Sequence, residues 1–309
     1  MSYNQRVEDH HALSYGNNVM LVTQQMQSRV RNAVMEVACS GEAHAAADLI
    51  GSLEYLESQG RERANVENPA TNSRRWLIMP NEIKSGQYIE REEIFQQLYN
   101  PTQPLVRAHT LAVRRGIDDR IFGVRKVDGK YKVELGGILG RATEGKRPGG
   151  SIVPLPTAQR EAHAGEGLTL DKLIAATQKL MEDEFGLEDN MDELYCAILP
   201  QQRTDLLNIA KQTGENLNAF QLQQLQTGMP TTLLGMTWII TNRLPTSNAG
   251  ITSCPVWSKR NIALGVWEDI NGDMWNDTHA DKLPYARVRA RVDCVRIEDK
   301  GVRIIECQN

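Results

Sequence analysis

The sequence predicts an α+β fold built around one long helix, and three observations carry that prediction. Residues 89–124 read as a single helical segment, Asp128-Gly129 lies between two short β-prone runs, and the C-terminal residues alternate apolar and polar. In the helical segment Val106, Val113, Ile117, Ile121 and Val124 keep the spacing of one helix face. Arg107, Arg114 and Arg115 mark a different, basic side, with Asp118 and Asp119 following the last two at i+4, within pairing reach. Asn100-Pro101 signals a boundary ahead of it, because the residue before a proline avoids the α region. From 102 to 124, at about 1.5 Å per residue, the rod is roughly 35 Å long. A two-faced helix of this length with no catalytic residue set reads as a beam, a part found in structural proteins more often than in enzymes.

The remaining elements follow in chain order. Residues 1–17 are polar and irregular and read as an arm. From Asn18, the residues Val19, Val22, Met26, Val30, Ala33 and Val37 keep helical spacing, which predicts a helix ending near Ser40-Gly41. Residues 49–90 contain Gly51, Gly60, Pro69, Pro80 and Gly86 around a charged centre, RERANVENPATNSRR, and read as two extended arms about a polar tip. Trp76-Leu77-Ile78-Met79 belongs to the return arm. FGVRKV and KYKVEL flank Asp128-Gly129, a preferred pair for a type I′ hairpin turn. Residues 136–167 are rich in Gly and Pro and read as loops with short strands. Residues 168–184 form a second amphipathic helix, with Leu170, Leu173, Ile174, Thr177 and Leu180 on one side and Thr169 or Asp171 near its start. A strand, LYCAILP, then precedes helices at 201–211 and 218–225, and GMTWIITNRLP is another strand. A second hairpin is expected about Asn271-Gly272. At the end, Val288, Ala290, Val292 and Cys294 alternate with Arg289, Arg291 and Asp293, the phase slips at Val295, and Lys300-Gly301 turns the chain into VRIIEC.

The chain has 309 residues, enough for a large core and about two domains. Hydrophobic residues make up 40% and charged residues 24%, as in folded soluble proteins. The net charge of -4 provides no overall basic field for nucleic acid. No apolar run is long enough to span a bilayer, and MSYNQRVEDHH lacks the pattern of a signal peptide, so cytoplasmic synthesis without a membrane partner is expected. Cys39, Cys196, Cys254, Cys294 and Cys307 are far apart and form no CxxC pair, which predicts free, mostly buried thiols and argues against zinc.

The sharpest chemical motif is the G-x-x-x-x-G-K match from Gly140 to Lys146. A phosphate-binding loop needs Ser or Thr next, to hold magnesium, and a helix whose N-terminus faces the phosphates. Arg147-Pro148-Gly149-Gly150 supplies neither, so a mobile basic loop is the plainer reading. The histidines at 10, 11, 44, 109, 163 and 279 form no HxxxH or HxH pattern. His109 reads as a packed or surface residue of the long helix. No G-x-S-x-G elbow is present, and Cys254 with His279 carries no recognisable local signature. The acidic run from Glu182 to Glu193 lacks EF-hand spacing and reads as a solvated helix end. Trp238, Trp257, Trp267 and Trp275 fall in strand-like segments, where aromatics pack in sheets. No catalytic, metal or cofactor-binding residue is assigned, and no cofactor is expected.

The order of these blocks resembles the major capsid proteins of tailed bacteriophages with the Hong Kong 97-type fold. Three stretches carry the resemblance: SRRWLIMPNEIKSGQYIEREEIFQQLYNPTQPLVRAHTLAVRRGIDDRIF, the segment from LTLDKLIAATQ to WIITNRLP, and CPVWSKRNIALGVWED. Together they cover most of residues 49–307, and their order and spacing, not a fixed motif, give the specificity. The resemblance implies an N-terminal arm and helix at 1–48, an extended loop at 49–90, a peripheral domain with the spine helix at 91–167, an axial domain at 168–253, and a return to the peripheral domain at 254–309. It implies pentamers and hexamers closing an icosahedral shell around double-stranded DNA, a location in the virion after assembly in the host cytoplasm, and no enzyme activity. Implied partners are further copies of the chain, portal and scaffolding proteins, a decoration protein, and packaged DNA in non-specific proximity. Arg61, Arg63, Arg74, Arg75, Trp76 and Arg107 are the residues expected at contacts between subunits. The alternatives are an encapsulin-type compartment shell, which shares the fold but encloses proteins, and a P-loop nucleotide-binding enzyme using Lys146.

Overall fold

The computed structural model describes residues 25, 27–50, 72–89, 102–134, 136–186, 192–212, 232–233, 235–278 and 282–308. A 3-10 turn at Arg31–Ala33 leads into β1 (Met35–Ala38), then β2 (Ala43–Ile50), β3 (Asn72–Ile78) and β4 (Ile83–Tyr88). Helix α1 (Thr102–Phe122) is followed by β5 (Val124–Val127), β6 (Lys130–Val133), β7 (Ala142–Glu144), β8 (Ser151–Val153) and β9 (Arg160–Glu161). Next come α2 (Leu170–Glu182), β10 (Leu194–Ile198), α3 (Pro200–Gln212), β11 (Thr232–Leu233) and β12 (Met236–Ile240). The chain ends with β13 (Ile251–Ser258), β14 (Ile262–Asp277), β15 (Leu283–Arg296) and β16 (Val302–Gln308). The expected helix at 218–225 lies outside the described residues.

The chain divides into two compact units. The first holds the described residues of 1–28, 80–118 and 267–292, and the second those of 29–79, 119–266 and 293–309. In the first unit β4 pairs antiparallel with β15, from Ile83 opposite Ala290 to Tyr88 opposite Tyr285. Ala286, Val288, Ala290 and Val292 are buried, as are Leu111, Val113 and Ile117 of α1. Helix and sheet meet closely here, because a Cβ on Gly116 would lie 2.7 Å from Cγ2 of Ile83. The alternate residues of β15 face the other way and form an ion-pair ladder: Arg289 with Glu268 at 3.0 Å, Arg287 with Asp273 at 3.5 Å, and Arg291 with Glu82 at 3.7 Å.

The second unit is organised by a six-stranded sheet in the order β11-β12-β10-β13-β16-β9. Its centre is antiparallel, with seven partners in register between β13 and β16, from Ile251 opposite Gln308 to Trp257 opposite Val302. Trp257 is fully buried, donates Nε1 to the Ala33 carbonyl at 2.9 Å, and packs on Tyr195 and Phe122. Helix α2 covers β16. Thr169 caps α2 by accepting the Lys172 N–H, satisfying one of the orphan donors of the first turn. A second sheet runs β2-β3-β7-β8, and β5 and β6 form a separate hairpin. Asp128 (φ 51°) and Gly129 (φ 80°) both occupy the left-handed region, as a type I′ turn requires. The five cysteines are free thiols, and all but Cys39 are buried.

Four expectations are corrected. The helix ending near Ser40-Gly41 is absent over 31–38, where a 3-10 turn and β1 stand instead, with β1 paired parallel to Ala263–Val266 of β14. Val30, Ala33 and Val34 are buried by that arrangement. Apolar spacing of this kind fits a buried turn as well as a helix, and sheet pairing decides between them. The beam ends at Phe122, because Gly123 takes φ 70° and Val124 already belongs to β5. Asn271-Gly272 makes no turn; β14 runs straight through it, since neither residue adopts the positive φ a type I′ turn needs. On α2 the buried set is Leu173, Ala176, Thr177 and Leu180, whereas Leu170 and Ile174 are 38% and 45% exposed.

Candidate functional site

Three of the residues expected at subunit contacts, Arg74, Arg75 and Trp76, lie on β3, the return arm. β2 and β3 pair antiparallel from Ala43 opposite Ile78 to Ile50 opposite Asn72, with a register shift between Ala45 and Ala47. Such a bulge bends and twists a ribbon. Asp48 lies directly opposite Arg74, and the guanidinium grips the carboxylate through two nitrogens, Nη2 at 2.8 Å. That hydrogen bond holds the Asp48 carboxyl below the usual carboxylate range. Arg74 also lies over the Trp76 ring at 5.3 Å. Trp76 is half-buried and donates Nε1 to the Gly145 carbonyl at 2.7 Å.

Arg75 points the opposite way. It is 5% exposed and contacts Asp299 at 3.0 Å and Glu144 at 3.6 Å. Arg296, fully buried, shares Asp299 through Nε at 3.1 Å and donates Nη1 to the carbonyls of Ile138 and Gly140. Arg75 therefore ties the arm to the core of its own unit. Arg107 is exposed on α1. Arg61 and Arg63 lie outside the described residues.

The nucleotide reading of Gly140–Lys146 fails on its surroundings. The Gly140 and Gly145 carbonyls are taken by Arg296 and Trp76, and the Gly145 N–H donates to the Arg74 carbonyl at 3.1 Å. Turn and strand follow, so the loop does not lead into a helix N-terminus as a phosphate-binding loop does, and Lys146 is exposed. Among the described residues of the acidic run, Asp183 pairs with Arg303 at 2.9 Å and Lys300 at 3.3 Å, and Glu193 with Lys259 at 3.0 Å. Among the described residues no group of three His, Cys, Asp or Glu side chains is placed to hold a metal ion. His109 is part-buried, with Nδ1 2.9 Å from Ser85 Oγ, and burial pulls its pKa down.

Sequence reasoning missed one feature. The β5–β6 hairpin, itself expected from the sequence, forms one wall of a two-lobed cleft whose other wall is the loop around Pro245–Gly250. The lobes have volumes of about 390 Å³ and 570 Å³ and share Lys130, Tyr131, Thr246, Ser247 and Asn248. Lys130 Nζ donates to Asn248 Oδ1 at 3.2 Å. The Tyr131 ring has Lys126 and Arg243 within 5.9 Å and 5.8 Å of its centroid. The signal was present in the alternation of cations along RKVDGKYK, where Arg125 faces Lys132 and Lys126 faces Tyr131.

A family model described as phage capsid protein matches residues 7–309. The fold is similar to that in the capsid structure of the cyanophage P-SCSP1u, with a TM-score of 0.67 at 11% identity over 94% of this chain and 91% of that one. It is equally similar to a chain from the capsid of a native GTA particle, with a TM-score of 0.67 at 12% identity, covering 95% and 94% of the two chains. A chain from the mature capsid of bacteriophage PhiM1 matches with a TM-score of 0.61 at 9% identity, over 95% and 91% of the two chains. A search of curated proteins finds no match. At these identities the structural likeness is one of fold, and the family match carries the assignment. The chain belongs to the phage capsid protein family, and its role is that of a structural major capsid protein.

Proposed function

We propose that copies of this chain assemble as pentamers and hexamers into a closed icosahedral shell around double-stranded DNA, with the Hong Kong 97-type architecture. The family match over residues 7–309 carries this reading. In it, 49–90 is the extended loop that reaches a neighbouring subunit, 91–167 and 254–309 form the peripheral domain, and 168–253 is the axial domain. The sequence between β2 and β3 supports the first of these, because residues 51–71 include Arg61 and Arg63 and few apolar residues with which to form a core of their own. Arg61, Arg63, Arg74, Trp76 and Arg107 are the contact residues we retain, whereas Arg75 is buried in its own unit. Portal, scaffolding and decoration proteins are the further partners, and assembly takes place in the host cytoplasm. The chain has no enzymatic part in this scheme: Lys146→Ala leaves assembly intact, and saturable magnesium-dependent ATP binding lost in that variant would revive the enzyme.

Electron microscopy of purified protein tests the assignment. Wild-type chain forms closed shells, alone or with its scaffold. Deletion of 62–73 leaves folded subunits that form none. Normal shells from the deletion sink the role given to the loop, and particles that enclose protein instead of DNA in infected cells favour the encapsulin-type compartment.

A further inference from the structure

We infer that the cleft between the β5–β6 hairpin and the loop around Pro245–Gly250 is a sequence-independent contact for a phosphodiester backbone. This inference rests on the proposed shell enclosing DNA and names where the chain touches it. Lys126, Lys130 and Lys132 are exposed along one wall. No carboxylate is ion-paired with any of the three among the described residues, and the one hydrogen bond from Lys130 goes to a neutral amide. The arginines at the cleft differ: Arg160 is paired with Glu306 at 3.2 Å and Arg243 with Asp119. The available cations are thus all lysines, compact point charges on long stems. Such point charges bind phosphate oxygens from several directions without fixing a geometry, as contact with a backbone of any sequence requires. Protein–protein interfaces are depleted in lysine, which tells against a neighbouring subunit as occupant. Neutral donors from Ser247 and Asn248 line the opposite wall, as phosphate oxygens require. The chain as a whole carries -4, so attraction to DNA has to be local, and this cleft provides it.

The test measures binding of a fluorescent duplex of random sequence to unassembled full-length subunits across a salt series. Wild type binds, and its affinity falls linearly with salt on logarithmic axes, by about 0.9 in slope for each phosphate neutralised. The Lys126→Gln/Lys130→Gln/Lys132→Gln variant binds about tenfold more weakly or worse at low salt, with a slope shallower by about 2 to 3. The corresponding triple Lys→Arg variant, which keeps the charge, binds like wild type. Lys146→Gln/Arg147→Gln, which removes two cations from another loop, changes affinity less than about twofold if the cleft alone supplies the contact. Unchanged binding by the triple Gln variant overturns the inference, as does an equal loss in the 146/147 control. A triple Gln variant that keeps duplex binding but no longer forms shells places a neighbouring protein in the cleft and also overturns it. Shell formation by the wild type, scored separately by microscopy, reports on the assembly reading whatever the duplex result.

Discussion

The fully buried guanidinium of Arg296 donates through Nε to Asp299 at 3.1 Å. Asp299 also accepts from Arg75 at 3.0 Å, so one carboxylate between two guanidiniums joins the return arm to the turn before β16. Removing the shared carboxylate leaves Arg296 in a buried site without a counter-ion. Asp299→Ala is expected to cost about 3–5 kcal/mol, the range for breaking a buried pair from one side. Arg296→Met instead orphans the carbonyls of Ile138 and Gly140 but leaves Asp299 paired with Arg75, and is expected to cost about 1–3 kcal/mol. Urea unfolding of unassembled subunits ranks the two, and an Asp299→Ala variant within about 1 kcal/mol of wild type would show that the triad does not hold the arm.

Asp293 gives stability a pH dependence. Its Oδ2 accepts the Ile78 N–H at 3.2 Å, again at the root of the return arm. Burial pushes its carboxyl up to about 6, against the opposing pull of the Ile78 and Cys294 N–H groups and the Arg120 charge. With the folded pKa above the unfolded one, the native state holds the extra proton. The contribution is therefore fully present below about pH 4 and lost as pH rises through about 6. Asp293→Asn keeps an acceptor for Ile78 but cannot ionise. Between pH 4.5 and 7.5, as assay conditions, the difference in unfolding free energy between wild type and Asp293→Asn is expected to shift by up to about 2 kcal/mol. Parallel profiles for the two proteins would remove Asp293 from the account.

The elements legible in the sequence were those whose signal is local. Asp128-Gly129 demands two positive φ values and finds them, Thr169 supplies its own cap, and Val106, Val113, Ile117 and Ile121 lie on a helix. The misread elements depend on distant chain. β1 is a strand because Ala263–Val266 pairs with it, and Asn271-Gly272 stays extended within a strand of 16 residues. Arg74 and Arg75 are neighbours in sequence, yet strand alternation sends one over Trp76 and the other into the core beside Asp299. The lysines of the cleft were visible only as composition until the loop around Pro245–Gly250 closed the opposite wall.

The stop at the end of α1 is predicted to be sensitive. Gly123 has φ 70°, and its N–H donates to the Arg120 carbonyl at 3.1 Å. A Cβ there would lie 2.2 Å from the Gly136 carbonyl oxygen and 2.9 Å from the Gly140 nitrogen. Both neighbours are backbone, so neither can swing aside. Left-handed strain of about 1–2 kcal/mol adds to an overpacking cost of about 1–3 kcal/mol, and Gly123→Ala is expected to lose at least about 2 kcal/mol. Gly129→Ala, also at positive φ (80°) but with nothing within 4 Å of its Cβ, should lose only the strain. Thermal unfolding of the two variants separates clash from strain, and equal losses would mean that the loop at 136–140 yields.

The two sides of the beam should respond oppositely to substitution. Ile117 is 1% exposed and Ile121 is fully buried, while Arg107 is exposed. Ile117→Asp puts a carboxylate at a buried position flanked by the apolar side chains of Val113 and Ile121, and the group must take up a proton or open the structure. The expected loss is about 3–5 kcal/mol near neutral pH, as for other uncompensated buried charges. It should shrink on acidification, because the protonated acid is cheaper to bury. Arg107→Ala removes an exposed cation and is expected to cost about 0–1 kcal/mol in the isolated subunit. If Arg107 touches a neighbouring copy, the same substitution lowers the yield of closed shells while leaving subunit unfolding unchanged. Chemical denaturation of unassembled subunits and particle counts by microscopy give the two readouts. Unfolding by Arg107→Ala together with tolerance of Ile117→Asp would reverse the assignment of the helix faces, and with it the choice of Arg107 as a contact residue.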